Sequence, residues 1–447
     1  MSIKPLQIIR YALFFLATLG TASAALIQDV MVYTDGTIFY ARGDIDQKII
    51  KESTDATEVI QAALNSIGED GGEVVIKSGR YPITKTLSLK SHTRLRGAGR
   101  STKLMVTMED ENGCAIYLGN LKGSSVKDLE VISTTDNLAA NGVVLDHCGD
   151  CKVIDIYVQD FPRYGIYLLD NSFLCEIRGC SLAGNQMAGI KMEKLRGGGR
   201  GGDYVPNLVA NCIIYGGNMG IEMDYVLVAN IVGCVIYQTE GYAFYMHSKS
   251  CSIVISGCRT FQIQSDAVVV EFSFEICITG NTFCWQEGNG IVLDKARWGT
   301  ITGNQIIDSG SANVFDPEKH EFISYQINRK FKEEWPEDKE KVLMSGIVMR
   351  NETRGFTVSG NAIFNWPGVP WMEWGITEDE TCFKNIFATN NINKAKGDIS
   401  SKGKESVVGE NLSHLDEAYH GMVQWDVPGQ RLYQFFDTRY IDVFIEE

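Results

Sequence analysis

A short motif recurs between Gly165 and Asn390, and it limits the folds open to this chain more than any other feature. Its strand-like copies read GIYL (165–168), GIKM (189–192), GIEM (220–223), AFYM (243–246), AVVV (267–270), GIVL (290–293), GIVM (346–349) and GIT (375–377). Between residues 220 and 293, where no insertion intervenes, successive copies begin 23 or 24 residues apart. A period in this range is typical of a solenoid, in which each unit buries its apolar face against its neighbours.

A second motif follows each copy and ends at a cysteine or an asparagine. The equivalent positions hold Cys180, Cys212, Cys234, Cys258, Asn281, Asn304, Asn361 and Asn390. The copies are rich in β-branched and aromatic residues, alternate with period two and break at Gly and Asn. Three short strands fit one period, so the sequence predicts an all-β parallel β-helix of about 10–12 coils. We expect the cysteines and asparagines to point inward, with asparagines bonded from coil to coil.

The segment before the repeat predicts a capping helix. Residues 55–66 (DATEVIQAALNS) are amphipathic, with Asp55 as the N-cap and Glu58 at the capping-box position. The segments GGEVVI, SGRYPI and LRGAGRSTKL follow. Residues 55–104 resemble the pectate lyase 3 type N-terminal segment of the pectate-lyase-like superfamily. The resemblance implies a single-stranded right-handed parallel β-helix whose first coil is covered by this helix, and it continues as periodicity alone to about residue 395.

That superfamily holds lyases, hydrolases, transferases, epimerases and phage tailspikes, so the resemblance predicts the fold and leaves the chemistry open. The NTDG, GHG and RIK motifs of its polygalacturonases are absent, as are the WIDH and RxPxxR motifs of its calcium pectate lyases. No catalytic residue is therefore carried over from the family.

The sequence predicts four regions. Residues 1–24 have a basic start, a short apolar run (ALFFLATLG) and an Ala-Ser-Ala cleavage site, which indicates a signal peptide and a secreted or periplasmic protein. Residues 25–70 would form the N-terminal segment and capping helix, residues 71–396 the β-helix, and residues 397–447 a C-terminal cap. Insertions near 193–207 and 310–345 leave and enter Gly-Ile strands, so we expect both beside the same face.

Charge and cysteine content limit the partners. Removing Lys4 and Arg10 with the signal leaves 39 basic and 56 acidic residues, a formal charge of −17. This charge argues against nucleic acid or an anionic membrane as partner and is compatible with a divalent cation. No segment after the signal is long and apolar enough to span a bilayer. Of the twelve cysteines, several fall in the repeat column, and we interpret the Cys148-Gly-Asp-Cys151 pair as structural thiols.

The outward positions of the aligned strands form two columns. In GIEMD, Ile221 and Met223 should point inward while Glu222 and Asp224 point outward. The first column comprises Val144, Tyr167, Lys191, Glu222, Tyr245, Val269, Val292, Val348 and Thr377. The second comprises Asp146, Leu169, Glu193, Asp224, His247, Glu271, Asp294, Arg350 and Asp379. Since neighbouring coils lie about 4.8 Å apart, the second column predicts an acid-rich stripe around His247.

Three interpretations of this stripe stay open. Its oxygens suit Ca²⁺, with Glu193, Asp224 and Glu271 as candidate ligands. Alternatively, its carboxylates are catalytic, or they simply extend into solvent. Two carboxyl groups on adjacent coils would lie near the separation of about 5–5.5 Å found in retaining glycosidases. Two carboxyl groups with one coil between them would lie near the roughly 6.5–9.5 Å found in inverting glycosidases. A lyase would need a base, and a cation or arginine to neutralise a uronate carboxylate.

The candidate catalytic residues are Glu222, Asp224, Tyr245, His247 and Glu271. Candidate substrate-binding residues are Lys191, Arg196, Arg200, Asp294, Arg350, Trp366, Trp371 and Trp374. Arginines can clamp acidic sugars, and tryptophan faces stack on sugar rings. The tryptophans fit a hydrophobic plug under the C-terminal cap equally well.

The leading hypothesis is an exported carbohydrate-active enzyme that cleaves an acidic polysaccharide or oligosaccharide on the Gly-Ile face, by β-elimination or hydrolysis. One alternative is a non-catalytic glycan-binding or surface β-helix protein. Another is a fructan-type glycosyl transferase or lyase, since inulin transferases share the fold implied by the resemblance.

Overall fold

The computed structural model describes residues 29–196, 206–310, 344–365, 372–393, 395 and 397–413, and the backbone of five further strands. The predicted signal peptide lies outside the described residues, as do Arg200, Trp366 and Trp371. Within the described part of the chain, no helix has the length and apolar character needed to cross a membrane.

Nearly all regular structure belongs to three long sheets. Sheet I has twelve strands: Leu87–Ser88, Cys114–Gly119, Asn141–Asp146, Tyr164–Leu169, Ala188–Glu193, Met219–Asp224, Phe244–His247, Val268–Glu271, Ile291–Asp294, Met344–Arg350, Met372–Glu378 and Gly397–Ser401. Sheet II has sixteen: Ile49–Ser53, Phe39–Gly43, Val30–Thr34, Gly72–Ile76, Thr93–Arg96, Ser125–Lys127, Lys152–Ile154, Glu176–Arg178, Asn207–Ala210, Leu227–Val232, Cys251–Ser256, Phe274–Thr279, Arg297–Thr302, Arg354–Ser359, Ile386–Ala388 and Val407–Val408.

Sheet III has thirteen strands: Gly79–Ile83, Thr102–Val106, Glu130–Ser133, Tyr157–Gln159, Ser181–Ala183, Ile213–Tyr215, Val235–Tyr237, Arg259–Ile263, Thr282–Gln286, Gln305–Ile307, Ala362–Phe364, Asn391–Asn393 and Leu412–Ser413. Each coil runs through sheets I, II and III in turn, and its strands pair in parallel with those of the next coil. The fold is a right-handed parallel β-helix, and the prediction of 10–12 coils is confirmed by the twelve strands of sheet I.

The two ends of the β-helix differ from the sequence-based boundaries. At the amino end, Phe39–Gly43 pairs antiparallel with both Val30–Thr34 and Ile49–Ser53, so a meander extends sheet II. At the carboxyl end, residues 397–413 add one more strand to each sheet. The predicted cap therefore begins with a further coil, which carries no Gly-Ile motif to reveal it.

Smaller sheets fall in the second insertion and near the carboxyl end. Val314–Asp316 pairs antiparallel with Glu321–Ile323. Val423–Asp426, Arg431–Phe436 and Arg439–Val443 form a three-stranded antiparallel sheet. The side chains of these segments lie outside the described residues, so the predicted covering of the last coil by residues 416–447 stays a prediction.

The predicted capping helix spans Ala56–Ser66. The Asp55 side chain accepts hydrogen bonds from the amides of Thr57 and Glu58, which confirms it as the N-cap. The reciprocal half of a capping box differs from expectation, because the Glu58 carboxylate accepts from Ser53 Oγ at 3.3 Å. Ser53 Oγ also accepts from the Asp55 amide at 3.1 Å, so a serine outside the helix satisfies that donor.

The glycine of each Gly-Ile copy permits close packing between coils. A Cβ at Gly220 would overlap the carbonyl oxygen of Ala243 and the side chain of Ile236 in sheet III. A Cβ at Gly189 would overlap Ile214 in the same way. The motif is therefore a packing requirement, because only glycine lets the backbone approach the isoleucine this closely.

The cysteine and asparagine column points inward as predicted, and all eight residues are at most 2 % exposed. Asn304 Nδ2 donates to Asn361 Oδ1 at 2.9 Å, and Asn304 Oδ1 accepts from Nδ2 of Asn281 at 2.9 Å. The ladder continues from Asn361 through Asn390 to Asn411. All twelve cysteines lie in the described residues as free thiols, and Cys148 and Cys151 are fully buried. Cysteine acts here as core filling.

We predict that Asn304→Ala lowers the free energy of unfolding by at least about 2 kcal/mol, because it leaves buried hydrogen-bonding groups without partners. The Asn304 side chain makes four hydrogen bonds, to Ile278 O, Asn361 Oδ1 and both nitrogens of Asn281. Denaturant unfolding of the variant measures the change. The same substitution at exposed Asn112 should alter stability by less than about 0.5 kcal/mol. Equal effects at the two positions would contradict the ladder's role.

Candidate functional site

Both predicted outward columns exist in the predicted register. On the first, Tyr167 pairs with Lys191, Lys191 with Glu222, and Glu222 with Tyr245. On the second, the backbone pairing continues from Glu193 through Asp224 to His247, and Glu271 pairs with Asp294. The inward neighbours Ile221 and Met223 are fully buried. The stripe predicted from alignment therefore lies on one face of sheet I, which we call the Gly-Ile face.

The middle of this face holds a compact charged cluster. Lys191 Nζ lies 2.6 Å from Glu222 Oε1 and 3.5 Å from Asp224 Oδ2. His247 approaches the same two carboxylates, with Nε2 at 3.2 Å from Glu222 Oε1 and Nδ1 at 3.7 Å from Asp224 Oδ1. We call these four residues the acid–histidine centre. One glutamate oxygen thus joins a buried cation to an imidazole.

Burial separates the roles of the four residues. The side chains of Lys191 and Glu222 are 4 % and 11 % exposed, whereas those of His247 and Asp224 are 17 % and 30 % exposed. Lys191 was predicted to bind substrate, but the structure places its ammonium beneath the carboxylates. It therefore holds Glu222 and Asp224 in position, while His247 and Asp224 are the members that face solvent.

Electrostatics keep Glu222 ionised. Burial raises the pKa of this carboxyl, but hydrogen bonds with His247 and Lys191 and the nearby Lys191 charge outweigh it and lower the pKa below its ordinary value of 4.5. A carboxylate held in this way orients and polarises the imidazole that bonds to it. It is poorly suited to donate a proton at neutral pH.

Tyrosines of the first column bond to acids one coil further along the second. Tyr245 donates to Glu271 Oε2 at 2.5 Å, and Tyr167 donates to Glu193 Oε2 at 2.6 Å. The Tyr245 ring also stacks on His247, with ring centroids 4.4 Å apart and planes at 22°. Burial first, then the hydrogen bond to Glu271, raises the pKa of Tyr245, so its hydroxyl stays protonated.

Toward the carboxyl end, the face carries a further ion pair. Arg350 Nε lies 2.8 Å from Asp294 Oδ2, and Asn351 Nδ2 contacts both Asp294 oxygens at 3.0 Å. Asp294 is thereby engaged, while the Arg350 side chain remains 52 % exposed. Trp374 lies in sheet I five coils beyond Glu222, about 24 Å away. It is too distant to contact the acid–histidine centre directly.

The first insertion contributes one described candidate. Arg196 is exposed, and its guanidinium carbon lies 5.1 Å from the Tyr225 ring centroid. The first insertion follows the end of a sheet I strand at Glu193, whereas the second precedes the start of a sheet I strand at Met344. Most of both insertions lies outside the described residues, so their position beside one face stays a prediction. Roles predicted for Arg200, Trp366 and Trp371 stay predictions.

The candidate calcium ligands do not all converge on one point: Glu193 pairs with Asp224 in the neighbouring coil, but Glu271 lies two coils beyond Asp224. Glu193 and Glu271 lie three coils apart, about 14 Å, and each accepts a tyrosine hydrogen bond. Asp224 Oδ2 lies 3.5 Å from the Lys191 ammonium, and Asp224 Oδ1 lies 3.7 Å from His247 Nδ1. In the described part of the chain, the group of acidic and histidine side chains whose ligand atoms converge is Asp146, His147 and Asp170, at the amino end of the stripe.

Sequence reasoning missed several tyrosines of this face. Tyr164 and Tyr242 each begin a sheet I copy and lie three residues before a column tyrosine, in the segments YGIY and YAFY. Their spacing is a detectable signal, but the position lies outside the two columns that alternation selects. Tyr117 extends the first column by a coil and donates to Asp146 Oδ2 at 2.8 Å.

Comparisons with known proteins agree with the fold. The family model described as "Right handed beta helix region" matches residues 141–306. No curated protein sequence matches the chain. The resemblance to the pectate-lyase-like β-helix superfamily is confirmed at the level of the fold.

Several solved structures share this architecture at low sequence identity. A mannuronan C-5 epimerase A-module from Azotobacter vinelandii has a TM-score of 0.59 and 14 % identity, covering 81 % of this chain and 96 % of its own. Tailspike protein 3 of bacteriophage CBA120 has a TM-score of 0.53 and 12 % identity, covering 97 % and 75 %. The catalytic domain of a GH87 α-1,3-glucanase in complex with nigerose has a TM-score of 0.52 and 12 % identity, covering 79 % and 67 %.

We predict that Glu222 stabilises the protein in a pH-dependent way. Its folded-state pKa is depressed, so its contribution is complete above the unfolded value of 4.5 and is lost as pH falls through the folded-state pKa. Wild-type protein should therefore unfold at higher denaturant than Glu222→Gln at neutral pH, and the difference should shrink below pH 4.5. The exposed control Glu109→Gln should be as stable as wild type at neutral pH. A difference for Glu222→Gln that is constant with pH would contradict the assignment.

Proposed function

We propose that this protein is an enzyme that acts on an acidic polysaccharide at the acid–histidine centre, starting with removal of a proton beside a uronate carboxylate. The observation that carries the proposal is His247, which lies at the solvent-facing side of a buried Lys191–Glu222 ion pair. Its Nε2 bonds to Glu222 Oε1 at 3.2 Å, and its Nδ1 bonds to Ser248 Oγ at 2.8 Å and lies 3.7 Å from Asp224 Oδ1. A histidine oriented by a carboxylate is the usual arrangement of a general base.

The surrounding residues have complementary roles. His247 would take the proton from the carbon next to the uronate carboxylate. Tyr245, whose hydroxyl is held protonated beside that imidazole, would supply a proton. In β-elimination the carbon–oxygen bond to the leaving sugar breaks, its electron pair stays on the leaving oxygen, and that oxygen receives the proton. The electrons of the broken carbon–hydrogen bond form the new double bond.

Arg350 is an accessible cation on this face that could bind substrate charge. Arg350 is half exposed beyond its bond to Asp294, and it lies at the carboxyl end of the stripe. It would bind a carboxylate of the glycan, since a guanidinium pairs well with carboxylates. Arg196 would serve a similar role beside the first insertion.

Hydrolysis is the second candidate reaction. It requires a carboxylic acid that is protonated at working pH. Glu222 does not meet this requirement, because its pKa is lowered, and Asp294 is engaged by Arg350. Asp224 and Glu271, two coils apart, are the pair that hydrolysis would use. The similar folds of an epimerase acting on mannuronan and of a glucanase are compatible with either chemistry.

Export is part of the proposal and rests on residues 1–24 alone. We expect mature protein outside the cytoplasm to begin after Ala24. Amino-terminal sequencing of protein from fractionated cells tests this, and an intact Met1 in the cytoplasmic fraction would contradict it.

The reaction is tested on a panel of polyuronates and neutral glucans in D₂O. Ultraviolet absorbance reports unsaturated ends, NMR reports deuterium uptake at the abstracted position, and a reducing-end assay reports cleavage. We predict unsaturated ends or deuterium uptake with a polyuronate, and a loss of at least about 100-fold in His247→Gln. His147→Gln, four coils away on the same face, should keep wild-type activity.

The outcomes separate the candidates. New reducing ends without absorbance or deuterium uptake would reject proton abstraction and support hydrolysis. Absence of any change in all glycans, with binding retained, would support a non-catalytic glycan-binding protein.

A further inference from the structure

The Gly-Ile face contains the same three-residue unit twice. In the first unit Tyr164 packs against Tyr167, with ring centroids 4.9 Å apart and planes at 53°. In the second, Tyr242 packs against Tyr245 with centroids 5.1 Å apart and planes at 52°. In both units, the second tyrosine donates to a glutamate one coil further along, at 2.6 Å and 2.5 Å respectively. The nearly identical geometry of the two units indicates that they have the same role.

The two units lie along the helix axis, the first on the amino-terminal side of the acid–histidine centre and the second level with its His247. Tyr167 precedes Lys191 by one coil, and Tyr245 follows Glu222 by one coil. Three coil steps of about 4.8 Å therefore separate the units, about 14 Å in total. A chain lying along the axis and reacting at His247 would meet the second unit beside the reacting sugar and the first unit three coils toward the amino end.

The first unit is not simply core packing. Tyr164 and Tyr167 lie on the outward side of sheet I and are only partly buried, whereas inward Ile166 and Leu168 are at most 1 % exposed. Burial first, and then the charge of Glu222, raises the pKa of Tyr164. Its hydroxyl thus stays protonated, and it lies close enough to Glu222 for that charge to affect its pKa.

We propose that the Tyr164–Tyr167 unit is a second aromatic subsite for the same glycan strand, on the amino-terminal side of the acid–histidine centre. Partly exposed tyrosine pairs present an apolar ring and a polar hydroxyl, which suits a sugar with one apolar face and a hydroxyl-rich edge. Tyr167 acts by its ring, with Glu193 holding the ring in place. The nature of the ligand rests on the proposed function, but the duplication of the unit does not.

Length dependence of binding tests this subsite. Size-fractionated oligomannuronates and oligogalacturonates are titrated by calorimetry into His247→Gln, a background in which turnover is slowed. We expect affinity to rise with oligomer length until one ligand spans both units. Tyr164→Ala should weaken binding of the long oligomers by about tenfold, as for the loss of one aromatic contact, and leave the shortest binding oligomers unchanged.

Two further variants keep the result interpretable if Tyr164→Ala folds poorly. Tyr164→Phe keeps the ring and should retain most of the length-dependent gain. Tyr237→Ala is the matched control, because it removes a partly buried, stacked tyrosine from sheet III, outside the Gly-Ile face. It should bind oligomers of every length as the background does.

Three results would overturn the subsite. Tyr164→Ala could weaken the binding of oligomers of every length equally, it could leave the length dependence of affinity unchanged, or no oligomer could bind at all. These results are distinct from failure of the proposed reaction. Length-dependent binding that needs Tyr164 in a protein without turnover would reject the reaction and keep the subsite. Turnover with unchanged length dependence in Tyr164→Ala would do the reverse.

Discussion

In-register stacking of parallel coils is the constraint on which the rest of this structure depends. Each position in one coil lies beside its equivalent in the next, at about the 4.8 Å spacing of paired strands. Such stacking needs a small residue wherever the backbone turns tightly against its neighbour, and Gly189 and Gly220 meet this need. The polar groups of the buried turns also need hydrogen-bond partners, and the asparagine ladder supplies them.

The same stacking creates the candidate site. Equivalent outward residues of successive coils lie side by side. A column of carboxylates would therefore be destabilised by like-charge repulsion unless cations or hydrogen-bond donors lie among them. The face resolves this with a lysine and a histidine around Glu222 and Asp224, and with tyrosine hydroxyls at Glu193 and Glu271. A compact candidate site thus arises from side chains that are distant in the chain and are held close together by the stacked coils.

The extent of prediction differed between the inside and the outside of the coils. Alignment of the internal repeats was enough to predict the inward column. Cys258 and Asn281 end equivalent motifs, and both side chains are buried at equivalent positions of their coils. It also identified the stripe from Glu193 to Asp294, since alternation determines the face. It missed Tyr164 and Tyr242, which lie at or just before the start of their strands. It also missed the last coil at residues 397–413, whose strands lack the motif.

By itself, the sequence determined the period, the strand faces and the helix N-cap at Asp55, because these depend on local spacing and on neighbours in the chain. Only the tertiary structure decided which charged groups pair. From the sequence, Lys191 is a candidate substrate ligand. The structure places its ammonium beneath Glu222, where the side chain is only 4 % exposed and pairs with that carboxylate. Glu193, Asp224 and Glu271 were open to interpretation as cation ligands, and the structure gives each a different partner: Tyr167, Lys191 and Tyr245 respectively. The physical reason is that side-chain conformation and burial are set by contacts across coils, which spacing along the chain does not encode.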